Sequence, residues 1–172
     1  MDLKSKIRAV ENFPKEGISF KDITTLLMDG EAYDYVIDQC IELTKDIEYD
    51  VIVGPEARGF LIAAPMSVKT KKGFIPVRKP GKLPAETVSY EYDLEYGSDV
   101  LEIHKDAIKP GTKVLIADDL LATGGTVKAV TELIESLGGE VVGLVFLMEL
   151  TELKGRDLLG DKVVKTILEY DI

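Results

Sequence analysis

Short apolar runs alternate with amphipathic stretches along this chain. Val51–Val53, Phe74–Val77, Val114–Ala117 and Val141–Leu147 carry no charged residue, which predicts short strands. Helical patterns separate several of them. Glu31–Asp46 puts Tyr35, Val36, Cys40, Ile41 and Leu43 mostly along one stripe, and Gly59–Val68 reads as a second helix. A third repeats apolar residues at Val127, Val130, Leu133, Ile134 and Leu137 before Gly138-Gly139 stops it. Strands alternating with helices predict an α/β fold, a mostly parallel central sheet flanked by helices on both faces.

The rhythm changes between Thr87 and His104, where the chain reads "TVSYEYDLEYGSDVLEIH". Its alternation predicts two strands around a turn at Tyr96-Gly97-Ser98-Asp99, a β-hairpin flap beside the main sheet. The clustered Tyr90, Tyr92 and Tyr96 suit a lid that packs over a ligand. The preceding "VRKPGKLPAE" predicts a loop. No repeat or composition break divides the chain, so residues 1–172 are expected to form a single domain.

Composition bears on partners more than on fold. With 45% hydrophobic and 30% charged residues, the balance is that of an ordinary globular domain. No apolar run approaches the roughly 18 residues of a membrane span, and the first residues do not form a secretion signal. A single cysteine excludes an intrachain disulfide, so a cytoplasmic setting away from membranes is expected. The net charge of -10 argues against a nucleic-acid partner, which would need basic surface. A small anionic ligand would instead need a local site of backbone N–H groups and a few placed cations.

Such a site is legible in "VLIADDLLATGGT", Val114–Thr126. The apolar run suits a central strand, and Asp118 and Asp119 follow at its carboxyl end, where open α/β sheets bind ligands. Two adjacent carboxylates are costly to bury, so both are expected to face solvent, a cation or hydroxyls. A vicinal sugar diol offers two such donors. Ala122, Thr123, Gly124, Gly125 and Thr126 then precede a helix. Bare backbone, threonine hydroxyls and a helix N-terminus together make a monophosphate cradle. The string is neither a Walker A loop nor a dinucleotide fingerprint. Its spacing points to ribose 5-phosphate. Cys40 lies on the apolar stripe of its helix and reads as packing, and His104 reads as a surface residue of the flap.

The same stretch resembles the phosphoribosyl-pyrophosphate motif of type I phosphoribosyltransferases. "NFPKEGISFKDIT" (Asn12–Thr24), "GPEARGF" (Gly54–Phe60), "SYEYDLEYG" (Ser89–Gly97) and "MELTELKGRDLL" (Met148–Leu159) resemble, in order, the other signatures of the adenine phosphoribosyltransferase family. That resemblance covers nearly the whole chain. It implies the type I phosphoribosyltransferase fold and Mg²⁺-dependent transfer of a phosphoribosyl group from phosphoribosyl pyrophosphate to adenine, giving AMP and pyrophosphate.

The resemblance also implies roles. Arg58 would lie near the pyrophosphate, and Arg78, Lys79 and Lys82 would reach the leaving group, from the partner subunit of a homodimer. Mg²⁺ would be bound mainly through substrate pyrophosphate and water, with no firm protein ligand. Glu95 corresponds to the family's acid/base near the purine N7; on the residues alone it reads as a solvent-facing turn glutamate. Tyr96 would help close the flap. Phe20 would stack on adenine, while the backbone of Ser19 and Lys21 reads the base edge. Some relatives carry arginine where Lys21 stands, which removes support for a side-chain role there. Two competing readings are the same enzyme acting on a 6-oxo purine, and a nucleotide-sensing regulator of the same fold. The regulator would need a basic surface, which the charge opposes.

Overall fold

Five parallel strands make the central sheet, in the order β4-β3-β7-β8-β9. The computed structural model describes residues 1–94 and 97–172; Glu95 and Tyr96, and the roles expected of them, lie outside the described residues. In chain order the elements are β1 (Arg8–Glu11), β2 (Ser19–Asp22), α1 (Thr24–Leu27), α2 (Gly30–Leu43) and β3 (Val51–Pro55). There follow α3 (Phe60–Thr70), β4 (Gly73–Val77), β5 (Thr87–Leu94) and β6 (Gly97–His104). The chain closes with β7 (Lys113–Leu121), α4 (Gly125–Ser136), β8 (Glu140–Leu150) and β9 (Val163–Tyr170).

The expected α/β architecture is present, with the four predicted strands and three predicted helices. Asp29 starts α2 by accepting the Ala32 N–H at 3.2 Å, and Ala32, Val36, Ile37 and Cys40 form its buried stripe. Alternation along β7 splits the core between the sheet's two faces. Leu115 and Ala117 join Val36, Ile52 and Ile62 in one cluster, whereas Val114 and Ile116 join Val130, Leu133 and Phe146 in the other.

Three features were not read from the pattern. Strands β1 and β2 pair antiparallel as a separate two-stranded unit, and β9 completes the sheet edge. These strands are half-exposed and charge-bearing, so their apolar signal is weak. Three residues expected in the flap turn are strand residues instead. Gly97, Ser98 and Asp99 already belong to β6 and pair with Leu94, Asp93 and Tyr92. Tyr90 and Tyr92 are half-buried and pack against the cluster around α4.

Candidate active site

Strand β7 continues past its apolar run to Leu121, which carries Asp118 and Asp119 inside the strand. Both are buried, at 8% and 2% exposure, so of the surroundings expected for them (solvent, a cation or hydroxyls) it is a cation that Asp119 meets, in Arg58. Extended backbone sends adjacent side chains different ways and gives each carboxylate its own neighbours. Asp118 Oδ1 accepts the Asp119 N–H at 2.8 Å. Asp119 Oδ2 lies 3.2 Å from Arg58 Nε, without the alignment of a hydrogen bond, and is a buried oxygen that receives none among the described residues. Burial, and then the neighbouring Asp119 charge, push the Asp118 carboxyl well above the usual carboxylate range.

A cavity of about 210 Å³ opens beside this pair. Pro55, Glu56 and Arg58 form one wall, and Asp118 through Val127 form the other. Helix α4 begins at Gly125, so the first-turn N–H groups, which have no partner within a helix, belong to residues of the cavity wall. Gly124 precedes it at φ +88°, a left-handed conformation that glycine adopts without steric cost. The structure thus brings Asp118, Asp119, Ala122, Thr123, Gly124, Gly125, Thr126 and Arg58 around one space.

Arg58 also reaches the N-terminal hairpin. Its guanidinium carbon lies 5.6 Å from the Phe20 ring centroid, and Phe13 meets the same ring edge-on at 5.3 Å. Ser19 and Lys21 have their side chains engaged elsewhere: Ser19 Oγ donates to Glu11 at 2.7 Å, and Lys21 Nζ donates to Ser19 Oγ at 3.1 Å. Lys21 further stands 5.1 Å from the Tyr170 ring centroid. Among the described residues β2 pairs with β1 alone, so its other edge offers backbone groups.

The basic loop after β4 contributes no residue to the cavity wall of its own chain. Arg78 Nε lies 3.2 Å from Glu56 Oε1, which also accepts the Lys79 N–H at 2.6 Å. Lys79 Nζ pairs with Asp99 on the flap, and Lys82 is exposed. Arg78 and Glu102 exchange backbone hydrogen bonds at 2.9 and 2.7 Å, tying this loop to the flap's base. Glu56, Asp99 and Glu102 were not singled out from sequence. Glu56 sits inside the quoted "GPEARGF", but nothing in its spacing marks it as the residue that anchors the basic loop. Cys40 is fully buried, and burial pushes its thiol up to about 12. His104 is half-buried and accepts the Ala85 N–H at 3.3 Å.

An acid pair on a central strand, followed by a Gly-Thr loop at a helix N-terminus, defines a phosphoribosyltransferase domain. The family model described as the phosphoribosyl transferase domain matches residues 30–172. Adenine phosphoribosyltransferase of Alkaliphilus oremlandii is 64% identical over 171 residues, covering 99% of both chains. That of Clostridium tetani is 61% identical over 172 residues, the whole of both chains. Among solved structures, adenine phosphoribosyltransferase from Thermoanaerobacter pseudethanolicus superposes with a TM-score of 0.96 at 52% identity, covering 98% of each chain. The Saccharomyces cerevisiae enzyme, complexed with D-2,5-dideoxy-2,5-imino-altritol 1,6-bisphosphate and adenine, superposes with a TM-score of 0.89 at 41% identity over 96% of each. The chain belongs to the adenine phosphoribosyltransferase family. Among the described residues no helix is long and apolar enough to cross a membrane.

Proposed function

We infer that this protein transfers the 5-phosphoribosyl group of phosphoribosyl pyrophosphate to adenine, forming AMP and pyrophosphate in purine salvage. One observation carries the reading: the buried acid pair and the Ala122–Thr126 loop line a single cavity beside Arg58. The ribose 5-phosphate seats its phosphate on the backbone N–H groups of the loop and the start of α4, with Thr123 and Thr126 hydroxyls donating. Its 2′- and 3′-hydroxyls donate to Asp118 and Asp119, which supplies Asp119 Oδ2 with the hydrogen bond it lacks.

Adenine stacks on Phe20 and is read by the backbone of Ser19 and Lys21, whose side chains are engaged elsewhere. That ring face is covered by Arg58, so the guanidinium shifts as the base enters. A backbone reader discriminates a 6-amino from a 6-oxo purine by which group donates, because a mismatched base leaves buried groups unpaired. As the C1′–pyrophosphate bond breaks, positive charge grows at C1′ and negative charge on the leaving group. Arg58 faces the leaving side. Arg78, Lys79 and Lys82 are proposed, on the family resemblance, to supply further cations to the neighbouring copy of a homodimer. Glu95 accepts the proton released from the purine's imidazole ring and passes it to solvent or product.

Buried carboxylate oxygens beside the cavity suit a hard cation such as Mg²⁺, with Asp118 and Asp119 as its protein contacts, direct or through water. When bound with the substrate it neutralises pyrophosphate charge.

A purine panel tests the reading. Adenine, hypoxanthine, guanine and xanthine are each incubated with phosphoribosyl pyrophosphate and Mg²⁺, with and without EDTA. AMP formation from adenine alone, abolished by EDTA, is the expected result. Turnover of a 6-oxo purine overturns the account of base selection, and no turnover with any base overturns the enzyme.

A further inference from the structure

The closing segment of the chain touches the phosphate loop backbone to backbone. After β8 the chain makes a tight turn, Gly155–Leu158, before β9. Gly155 is buried against the loop. A Cβ on Gly124 would stand 2.6 Å from the Gly155 carbonyl oxygen. A Cβ on Gly155 would collide with the Ala122 carbonyl oxygen and stand 2.9 Å from Leu121 Cδ1. Two facing glycines therefore set how closely the turn and the loop approach.

The turn is fastened from its other side by the next residue. Arg156 Nε donates to both oxygens of Glu149 at 3.0 Å, and a terminal nitrogen donates to Oε2 at 2.8 Å. Arg156 Nη1 also donates to the Val164 carbonyl at 3.2 Å. Glu149 is 4% exposed and stands in register with Leu121 on β7, the residue just before the loop, and with Glu169 on β9. One fork thus anchors the turn to β8 and β9 together.

We propose that Gly155 is a positioning residue for the 5′-phosphate loop, pressed against Ala122 and Gly124 by the Glu149–Arg156 pair. The inference rests on reading Ala122–Thr126 as the phosphate site. A methyl group at residue 155 meets backbone, which cannot swing aside as the end of a side chain can. The loop shifts instead, and with it the N–H groups at Gly124 and Gly125. Misplacement on the order of 1 Å is enough to cost up to about a hundredfold.

Ribose 5-phosphate is titrated calorimetrically into wild type, Gly155→Ala, Arg156→Gln and Arg156→Lys, and Michaelis constants are measured for both substrates. Gly155→Ala is expected to weaken ribose 5-phosphate binding by roughly tenfold or more. The Michaelis constant for phosphoribosyl pyrophosphate rises in parallel, while that for adenine stays within about twofold; a general loss of structure would not separate the two. Arg156→Gln is expected to give a smaller loss of the same kind, and Arg156→Lys to recover part of it. These two variants introduce no clash and carry the test if Gly155→Ala does not fold. Wild-type affinity in the folded variants overturns the proposal. Failure of the wild type itself to bind ribose 5-phosphate overturns the phosphate reading, and the proposal with it.

Discussion

Arg58 Nε stands 3.2 Å from Asp119 Oδ2 while the same guanidinium lies 5.6 Å from the centre of the Phe20 ring. One cation therefore joins the face proposed for the base to the carboxylate proposed for the sugar. It stands beside the ring face and neutralises the carboxylate.

Removing Arg58 should separate its electrostatic from its catalytic part. Arg58→Gln leaves Asp119 a buried carboxylate without its cation. The guanidinium is 44% exposed, so the expected destabilisation is only about 1 kcal/mol. Adding Asp119→Asn should restore the stability, but activity should stay depressed. A double-mutant cycle of melting temperatures and of kcat/KM checks this; activity recovering together with stability would show the pair to be structural alone.

Asp118 should make the ligand-free protein less stable as pH rises. Its carboxyl is held well above the usual range, by burial first and then by the Asp119 charge. The folded state thus binds this proton more tightly than the unfolded chain, whose carboxyl titrates near 3.9. Stability from this group is full below the unfolded value and is lost as pH climbs through the folded one. Asp118→Asn should abolish that slope and raise the melting temperature at neutral pH by roughly 2–4 °C, for about 1 kcal/mol. The same variant should bind phosphoribosyl pyrophosphate more weakly. Melting curves across pH, with a substrate titration, measure both; an unchanged slope would mean that Asp118 ionises freely.

Lys79 is expected to be freed by a change on the flap. It pairs with Asp99, and that partner holds the Asp99 carboxyl below its usual range. Releasing the lysine for pyrophosphate means breaking a partly exposed pair, worth at most about 1 kcal/mol. Asp99→Asn should therefore tighten pyrophosphate inhibition by roughly two- to fivefold. The gain should shrink at high salt. Inhibition constants at two ionic strengths decide it, and weaker inhibition in the variant would count against a competing role for Asp99.

Glu95 is assigned its role by resemblance in sequence. Glu95→Gln should lower kcat by about 10²–10⁴-fold and change ribose 5-phosphate affinity little. Equal losses in both would make it a binding residue.

Cys40 should be silent in the folded protein. Burial raises its thiol to about 12, so almost no thiolate exists at neutral pH. A chromogenic thiol reagent should label it only at the rate of unfolding, and labelling in urea should be complete. Fast labelling of native protein, with activity retained, would place Cys40 at the surface.

The alternation of apolar runs with amphipathic stripes was enough to read β3, β4, β7, β8 and three helices, because buried parallel strands exclude charge and helices repeat on a fixed period. The Asp118–Thr126 string was legible for a similar reason: a strand, a loop and a helix start are contiguous, so their chemistry is written in one line. Strands β1, β2 and β9 are short or half-exposed, and their pairing is set by distant partners that carry no mark in the local pattern.

Tertiary structure alone decided which charges meet. Nothing in the spacing of Glu56, Asp99 and Glu102 announces that they hold the basic loop, nor that Gly155 lies against Gly124 from 31 positions away. The burial of Asp118 and Asp119 was likewise a tertiary outcome. Sequence established two adjacent acids and the cost of hiding them. Packing hid them all the same, with Arg58 beside one and a raised proton affinity on the other, because the strand that carries them runs through the middle of the sheet.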